Sequence, residues 1–352
     1  MGKGLPAAIA ALMLAGAAPA VQARDKDGAK PLFASDDQIH LTLKGPINEL
    51  AHGGRAPDKT VAGTLSVQGE SLPVTLSVRG ITRRQASVCP FPPIRVEFPD
   101  KPPAESLFKG QKRLKLVTHC RSAEGFQQYV LLEYAAYRIY NRLTPLSFRA
   151  RLATIDYVGS DGKPVTTRVG YFIEDIDDVA KRNGLKRIKI NGRIPVAQLS
   201  APDAARFALF EYMISNLDWA MTAGPAGTDC CHNSRPLAPE GATANFAPMP
   251  YDFDYSGLVD APYATPPDGI KASSVRMRIY RGFCAHNEAV RAEAAALAPR
   301  RAELIGVLDA VPELSAGSRR KASGYLGGFF DEIASPQGVS KLLGACLKGP
   351  AA

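Results

Sequence analysis

Hydrophobic and polar residues alternate along much of the first half of the chain, and this pattern predicts β-strands, whose side chains point to opposite faces in turn. The alternating segments are 39–43, 64–67, 74–78, 94–98 and 113–117. Gly69-Glu70-Ser71 predicts a hairpin turn between the second and third of them. A second hairpin is predicted from 149 to 172, turning at 159–162. The first half is therefore expected to form a mostly antiparallel sheet.

Helical spacing replaces this alternation in other segments. Between residues 126 and 142, apolar residues recur at intervals of three and four, which predicts an amphipathic helix. Further helices are predicted at 203–215, 288–297, 301–311 and near the carboxyl end. The pattern predicts an α+β chain, with a β-rich amino-terminal lobe and inserted helix at 37–183 and a mainly helical carboxy-terminal lobe at 184–352. Residues 216–284 form a long irregular stretch, and loops of that length in compact domains are commonly functional.

The first 23 residues have the three parts of a secretory signal peptide. Lys3 supplies a positive charge, residues 5–18 are apolar, and small residues at 18–23 offer cleavage sites. The apolar run is shorter than the roughly 18 to 20 residues of a spanning helix. The sequence predicts a signal peptide at 1–23 and a disordered linker at 24–36. The mature protein is expected to be periplasmic or secreted, without a transmembrane segment.

The charge balance is basic, with 43 Lys and Arg against 34 Asp and Glu and a formal net charge of +9. A basic balance favours acidic partners such as nucleotide phosphates, anionic glycans or membrane surfaces, and scattered surface charges would give the same count. Nucleic acid is not an expected partner. The oligomeric state is not indicated.

Six cysteines, an even number in an exported chain, predict disulfides. Cys89 and Cys120 each border a predicted strand in the same region, so they are the first expected pair. Cys230 and Cys231 are adjacent and are expected to bond elsewhere rather than to each other, with one of them joined to Cys284.

Two other kinds of site fit the sequence poorly. Zinc held by Cys230, Cys231 and His232 would require three consecutive side chains to converge on one ion, and the chain has no CxxC pair. A serine hydrolase is disfavoured because the chain has no G-x-S-x-G nucleophile elbow.

Three polar clusters carry the candidate chemistry: Asn216-Leu217-Asp218-Trp219, His232-Asn233 and Pro250-Tyr251-Asp252-Phe253-Asp254-Tyr255. Phosphoryl transfer needs divalent cations across the phosphates, oxygen ligands from Asp and Asn, and a carboxylate directed at the acceptor hydroxyl. In this interpretation Asp218 is the catalytic base, Asn233 and Asp252 are metal ligands, and Asp254 is a further ligand. Loop Asp and Asn residues that cap helices or form turns would give the same pattern.

The order of these clusters resembles the spore coat protein H (CotH) kinase family, in an uncharacterised exported bacterial branch. The resemblance runs from about Leu76 to Cys284. Besides the three clusters, its pieces are Val78-Arg79-Gly80, Ile94-Arg95-Val96-Glu97-Phe98, Lys115-Leu116, Tyr137-Arg138-Ile139-Tyr140-Asn141 and Gly170-Tyr171-Phe172-Ile173-Glu174-Asp175-Ile176-Asp177.

This resemblance implies a divergent protein-kinase-like two-lobe fold. It also implies transfer of the ATP γ-phosphate to a hydroxyl of a protein or other acceptor, with Mg²⁺ or Mn²⁺. Asp218 matches the catalytic-loop Asp of the family, and Asn233 and Asp252 match its metal-binding residues. A cation that contacts phosphate should come from the amino-terminal sheet, where Lys115 and Arg95 are the candidates. Glu133 on the following helix is expected to pair with one of them.

The sequence departs from the family pattern in two places. Asp218 and Asn233 are fifteen positions apart, more than in a typical kinase catalytic loop. A glycine-rich phosphate loop has no clear counterpart, and Arg79-Gly80 is the candidate for part of its role. Two alternatives stay open: nucleotidyl transfer on the same scaffold, and a non-catalytic envelope or structural protein that uses the fold for binding.

Overall fold

Seven β-strands close into a barrel in the computed structural model, which describes residues 1–2, 28–52, 56 and 58–349. They are β1 (Ile39–Lys44), β2 (Thr60–Val67), β3 (Glu70–Val78), β4 (Ile94–Glu97), β5 (Arg113–Val117), β6 (Ala150–Val158) and β7 (Pro164–Ile173). Around the barrel their order is β1-β2-β3-β4-β5-β7-β6. Strand β6 pairs with β1 in parallel, and the other neighbouring strands are antiparallel.

The alternation in the sequence matches the two faces of these strands. Leu41, Leu76, Val96, Leu116 and Ile155 are buried in one apolar cluster that fills the barrel. The hairpin between β2 and β3 turns at Gln68 and Gly69, one position before the predicted turn, and both residues have positive φ, 50° and 85°. Positive φ at both central positions is the geometry of the tightest hairpin turns, and glycine adopts it at little cost.

The helices cover the barrel and extend beyond it. The α-helices of the described chain are α1 (Ile47–His52), α2 (Gln127–Leu143), α3 (Ile176–Arg182), α4 (Ala201–Ile214), α5 (Asn287–Leu297), α6 (Arg301–Gly306), α7 (Ala316–Ile333) and α8 (Pro336–Gly344). Its 3-10 helices are Pro31–Phe33, Thr82–Arg84, Glu124–Phe126, Val196–Gln198, Cys284–His286, Ala298–Arg300 and Val307–Ala310. Helix α2 packs on the outside of β6 and β7 and also contacts α4 and α6.

The expected protein-kinase-like two-lobe fold is wrong, because the amino-terminal strands form a closed barrel with mixed helices around it. Closure depends on the parallel pairing of β1 with β6, in which Ile39 lies opposite Ala153. Local alternation identifies strands but carries no information about a partner more than a hundred residues away. One continuous core also crosses the expected boundary at 183/184, since it contains Leu131 and Tyr171 together with Phe207 and Leu326.

A small second sheet has two of its three strands within the region expected to be irregular. Its strands are β8 (Lys186–Arg187), β9 (Ser234–Ala238) and β10 (Ala247–Pro250), in the order β10-β9-β8. Strands β9 and β10 are antiparallel, with Pro250 opposite Ser234. The residues just before β9 and just after β10 therefore meet at one end of the sheet.

Part of the segment predicted to be a disordered linker is ordered. The 3-10 helix Pro31–Phe33 buries Leu32 and Phe33 in the barrel cluster. Arg149 donates a hydrogen bond to the carbonyl oxygen of Phe33, at 3.0 Å. Apart from residues 1 and 2, the predicted signal peptide lies outside the described residues.

All six cysteines form disulfides: Cys89–Cys120, Cys230–Cys231 and Cys284–Cys346. The first pair is the one predicted, and the presence of disulfides is confirmed. The expected partners of the other cysteines are wrong. Cys284 bonds to Cys346 because the carboxyl-terminal segment runs beside it, with a bridge between Phe283 and Leu347, and the adjacent Cys230 and Cys231 bond to each other.

Disulfides persist in oxidising compartments outside the cytoplasm, so the three bonds agree with a periplasmic or extracellular protein. Among the described residues, no helix has both the length and the apolar content needed to cross a membrane.

Loss of the Cys89–Cys120 disulfide should destabilise the protein considerably. The bond closes a loop with a sequence separation of 31 residues, and loop-closure entropy for that length corresponds to about 3 to 4 kcal/mol. A variant with both cysteines changed to Ser should lose that much free energy of unfolding, measured by urea titration without reductant. An unchanged unfolding midpoint would show that this bond does not restrict the unfolded chain.

Candidate functional site

Asp218 lies just after helix α4, in a loop held by hydrogen bonds on both sides. Ser215, which follows the last residue of the helix, has a left-handed backbone (φ 52°). The side chain of Asn216 accepts a hydrogen bond from the backbone N–H of Asp218, at 3.1 Å. The indole N–H of Trp219 donates to the carbonyl of Asn216, at 2.9 Å. These bonds fix the direction of the Asp218 side chain, whose exposed fraction is 28%.

The carboxylate of Asp218 is held by His232 and Asn233. Nε2 of His232 lies 2.7 Å from Oδ1 of Asp218, and Nδ2 of Asn233 donates to Oδ2 at 3.1 Å and to the backbone carbonyl at 2.7 Å. The hydrogen bond to Asp218 raises the pKa of His232. The fifteen-residue gap in sequence thus closes in space, because the loop folds back and Ala220 pairs with His232.

The small sheet brings Asn233 close to the third cluster. Tyr251 follows β10, and its N–H donates to the carbonyl of Asn233 at 3.2 Å. Asn233 and Asp252 both have positive φ, 46° and 69°, a region in which Asn and Asp are enriched among non-glycine residues. No hydrogen bond within the described part of the chain occupies Oδ1 of Asn233 or Oδ2 of Asp252. Both oxygens are therefore open to a ligand.

Arg83, in the 3-10 helix Thr82–Arg84, connects three carboxylates from two parts of the chain. Its guanidinium lies 3.0 Å from Glu133 on α2, 2.9 Å from Asp252 and 3.2 Å from Asp254. The carboxylate oxygens of these three residues lie within 4.8 Å of one another. Glu133 therefore pairs with Arg83, instead of the expected Lys115 or Arg95.

One guanidinium faces more negative charge than it can neutralise. Burial raises the pKa of Glu133, and burial also raises the pKa of Asp254 to about 8, with Asp252 and Glu133 adding to the effect. Burial opposes the charge of Arg83, but Asp254 and Glu133 hold its pKa well above the usual value. The phenol of Tyr263 donates to Asp254 at 3.0 Å. The cluster favours additional positive charge, whether a proton or a metal cation.

Several cations lie on the other side of Asp252. The ammonium group of Lys115 on β5 and the guanidinium of Arg235 on β9 lie 5.5 Å and 4.4 Å from the centre of the Tyr251 ring. Burial and the nearby charges of Arg79 and Arg235 together lower the pKa of Lys115 to about 8, although Asp175 and Asp252 act in the opposite direction. These closely placed positive groups favour negative charge beside them.

Arg95, the other expected phosphate contact, lies directly opposite Lys115 on the neighbouring strand β4. It shares the outer face of the barrel with Lys115. Within the described chain, no ion pair joins Arg95 to the acidic residues of the site. Asp252 acts electrostatically on Lys115, whose ammonium group lies over the ring of Tyr251, the residue before Asp252.

A cavity of about 720 Å³ opens on the outer face of the barrel, where Arg113, two residues before Lys115 on β5, lines it together with the acidic residues Glu97, Asp175, Asp177 and Asp178. Thr75, Glu97 and Arg113 lie opposite one another on β3, β4 and β5 and form part of its wall. Asp175, which interacts electrostatically with Lys115, lines the same cavity. Gln111 also lines the cavity, and its buried amide nitrogen has no hydrogen-bond partner within the described chain.

Most of the predicted site residues gather in one region. Asp218 and Asn233 are in direct contact, and Asp252, Asp254 and Glu133 surround Arg83. Arg83 and Arg235 belong to the site but were not predicted from the sequence. His232 was part of a predicted cluster, although no role was assigned to it. Arg83 gives no local signal in the sequence, since its partner Glu133 is 50 residues away.

The geometry therefore combines an oriented carboxylate, two open oxygen ligands and a cluster of cations beside a cavity. Such a set can hold a cation-bound phosphate and accept a proton from a hydroxyl. The chain matches no protein-family model and no curated protein.

Proposed function

We propose that this protein is a phosphotransferase that moves the γ-phosphate of ATP to a hydroxyl of a protein or other acceptor, with Mg²⁺ or Mn²⁺. The observation that carries the proposal is the contact of Asp218 with Asn233, next to Asp252 at the end of the same small sheet. The three residue types supply what phosphoryl transfer requires of a protein: a base and oxygen ligands for the metal.

Asn233 and Asp252 would hold the divalent cation. Hard cations prefer oxygen ligands, and Mg²⁺ is usually bound by one or two carboxylates, with phosphates and water completing its shell. Arg83 donates a hydrogen bond to Oδ1 of Asp252, at 2.9 Å, and this bond holds the carboxylate in one orientation, with Oδ2 left for the cation. Asn233 is oriented in the same way, because its amide nitrogen is engaged by Asp218.

Lys115, Arg79 and Arg235 would bind the phosphates, and the adjoining cavity of about 720 Å³ would hold the nucleoside. Its volume lies within the roughly 300–1,000 Å³ of ordinary ligand pockets.

Asp218 would act as the base. As the acceptor oxygen bonds to the γ-phosphorus, the bond from that phosphorus to the bridging oxygen breaks, and the hydroxyl proton passes to Asp218. Its two partners, His232 and Asn233, hold the carboxylate in one orientation during this step. Positioning of this kind accounts for most of the catalysis in phosphoryl transfer.

We also propose that the protein is exported by cleavage after residue 23 and works in the periplasm or outside the cell. The three disulfides support an oxidising environment. Amino-terminal sequencing of the mature protein should begin at Arg24, and an intact Met1 would contradict the proposal.

The function can be tested with ATP labelled on either the γ- or the α-phosphate, incubated with the purified protein and Mg²⁺ or Mn²⁺. Transfer of the γ label to protein or to added hydroxyl acceptors, abolished by EDTA, is the expected result. Transfer of the α label would instead establish nucleotidyl transfer, which uses the same groups. Absence of transfer with either label, together with no binding of ATP, would contradict both phosphoryl transfer and nucleotidyl transfer.

The affinity for ATP should decrease as the pH rises through 8. The pKa of Lys115 is lowered to about 8, so its ammonium group is charged below that pH and neutral above it. Hydrogen bonds between charged groups contribute about 1.5–3 kcal/mol, so calorimetry should show binding weakened roughly tenfold or more between pH 7 and pH 9. The control is the variant Lys115→Arg, whose side chain stays charged from pH 7 to pH 9. Any pH dependence that remains in this variant comes from titration of the nucleotide itself. An equal pH dependence in both proteins would exclude Lys115 as the responsible group.

A further inference from the structure

A second cavity, of about 430 Å³, lies directly beside the Asp218 loop. Trp219, Met221 and Phe283 give it an apolar floor, and Arg193, Arg281 and Lys348 give it a basic rim. Its lining residues differ from those of the cavity on the outer face of the barrel. A ligand in this second cavity would therefore not compete with the nucleotide.

The charge of this cavity has one sign. None of its described lining residues is acidic. Arg193 and Lys348 are exposed, and neither forms an ion pair with a carboxylate of the described chain. Surface cations gathered around an apolar floor without counter-charges favour a ligand that carries negative charge.

Arg281 connects the cavity to the proposed base. Its guanidinium donates hydrogen bonds to the carbonyls of Leu217 and Trp219, the residues on either side of Asp218. It also lies over the Trp219 ring, 4.8 Å from the ring centre. Trp219, which directly follows Asp218, lines the cavity, so a ligand bound there would lie beside the Asp218 loop.

A disulfide fixes one wall of the cavity. The Cys284–Cys346 bond holds the carboxyl-terminal segment in place, where Leu347 donates to the carbonyl of Gly282 at 2.8 Å and accepts from Cys284 at 2.9 Å. The cavity is thus formed in advance, which reduces the entropy lost on binding.

We propose that this cavity binds the acceptor, and that the acceptor is a hydroxyl-bearing peptide with acidic residues next to the hydroxyl. The inference rests on the proposed function, which requires an acceptor hydroxyl near Asp218. A peptide is favoured over an anionic glycan, because the tryptophan of the cavity has no open face on which a sugar ring could stack. The Trp219 ring is only 4% exposed, since Arg281 lies over it and Phe207 packs against it at 5.0 Å between ring centres.

The test uses Trp219, the only tryptophan of the chain, as a reporter of binding in the absence of ATP. The probe is a tryptophan-free peptide with one Ser followed by three Glu, compared with the same peptide carrying Gln at those positions. The Glu peptide should change the Trp219 fluorescence with a saturable curve, and the Gln peptide should bind about tenfold more weakly. The variant Arg193→Gln/Lys348→Gln should bind the Glu peptide more weakly by a similar factor, as expected for the loss of two partly exposed charge pairs.

The control variant Arg320→Gln/Lys341→Gln removes the same two charges from exposed positions on α7 and α8 and should bind like the unchanged protein. Equal binding of the Glu and Gln peptides, or no effect of Arg193→Gln/Lys348→Gln, would overturn the proposal. Binding of polygalacturonate, seen as a change in Trp219 fluorescence, without any binding of the Glu peptide would also overturn it. If the peptide binds as expected but never receives γ-phosphate, the binding site stands and the proposed function fails.

Discussion

The variant Asp218→Asn should transfer phosphate about 10²- to 10⁴-fold more slowly than the unchanged protein, the usual contribution of a positioned base. The amide has nearly the same shape as the carboxylate and can keep contacts with His232 and Asn233, so folding should be preserved. An amide cannot accept the hydroxyl proton, and for this reason the loss should appear in kcat with little change in KM for ATP.

The matched control is Asp229→Asn, which makes the same change at an exposed position in the same loop. It should retain full activity. Initial rates of γ-label transfer at saturating ATP measure the effect, and thermal unfolding confirms that both variants are folded. Full activity of Asp218→Asn would remove Asp218 from the reaction.

The variant Arg83→Met should lower the free energy of unfolding by about 3–5 kcal/mol, the usual cost of removing one partner of a buried ion pair. Arg83 is the one cation whose guanidinium contacts Glu133, Asp252 and Asp254 among the described residues. Without it, three neighbouring carboxylates would share a site in which two of them are buried. Arg320→Met, an exposed position on α7, is the control and should change stability little.

The deficit of Arg83→Met should depend on pH in a defined direction. Burial already raises the pKa of Asp254 to about 8 with Arg83 present, and removal of the guanidinium would raise it further. A carboxyl whose folded pKa exceeds its unfolded pKa contributes stability below the unfolded value and loses it as the pH rises through the folded value. Urea unfolding should therefore show a smaller deficit at pH 5 than at pH 8. A deficit that is equal at both pH values would contradict the charge argument.

The strands of the fold could be predicted well from the sequence, and their arrangement could not. Alternation located β1, β3, β4 and β5 and the hairpin of β6 and β7, because each strand has one face in the barrel core. Closure of the barrel depends on the pairing of β1 with β6, which no local pattern encodes. The same limit explains why a chain expected to form two lobes shares one core across the expected boundary.

The candidate site shows a similar division. Asp218, Asn233 and Asp252 were chosen for their residue types, since Asp and Asn supply the oxygen atoms that phosphoryl transfer needs. Their proximity depends on the loop that returns to pair Ala220 with His232, and on the small sheet that was expected to be irregular. The role of Arg83 could not be predicted, because its three partners come from α2 and from the segment after β10.

The cysteines show that separation along the sequence is a poor guide to which residues form a disulfide. Adjacent residues were expected to avoid each other, since their side chains usually diverge, yet Cys230 and Cys231 are bonded. The pair Cys89–Cys120 was predictable because Cys89 precedes β4 and Cys120 follows β5, and these two strands are neighbours in the sheet. Pairing of Cys284 with Cys346 required knowledge of where the carboxyl-terminal segment lies.

The most direct test of the proposed site is the position of Mn²⁺ in crystals grown with a non-hydrolysable ATP analogue. Anomalous scattering locates the ion without assumptions about the protein. The metal should lie at coordination distance, about 2.0–2.3 Å, from Oδ2 of Asp252 and Oδ1 of Asn233, with the phosphates between it and Lys115. An ion bound elsewhere, or an analogue whose phosphates lie away from Asp218, would contradict the account.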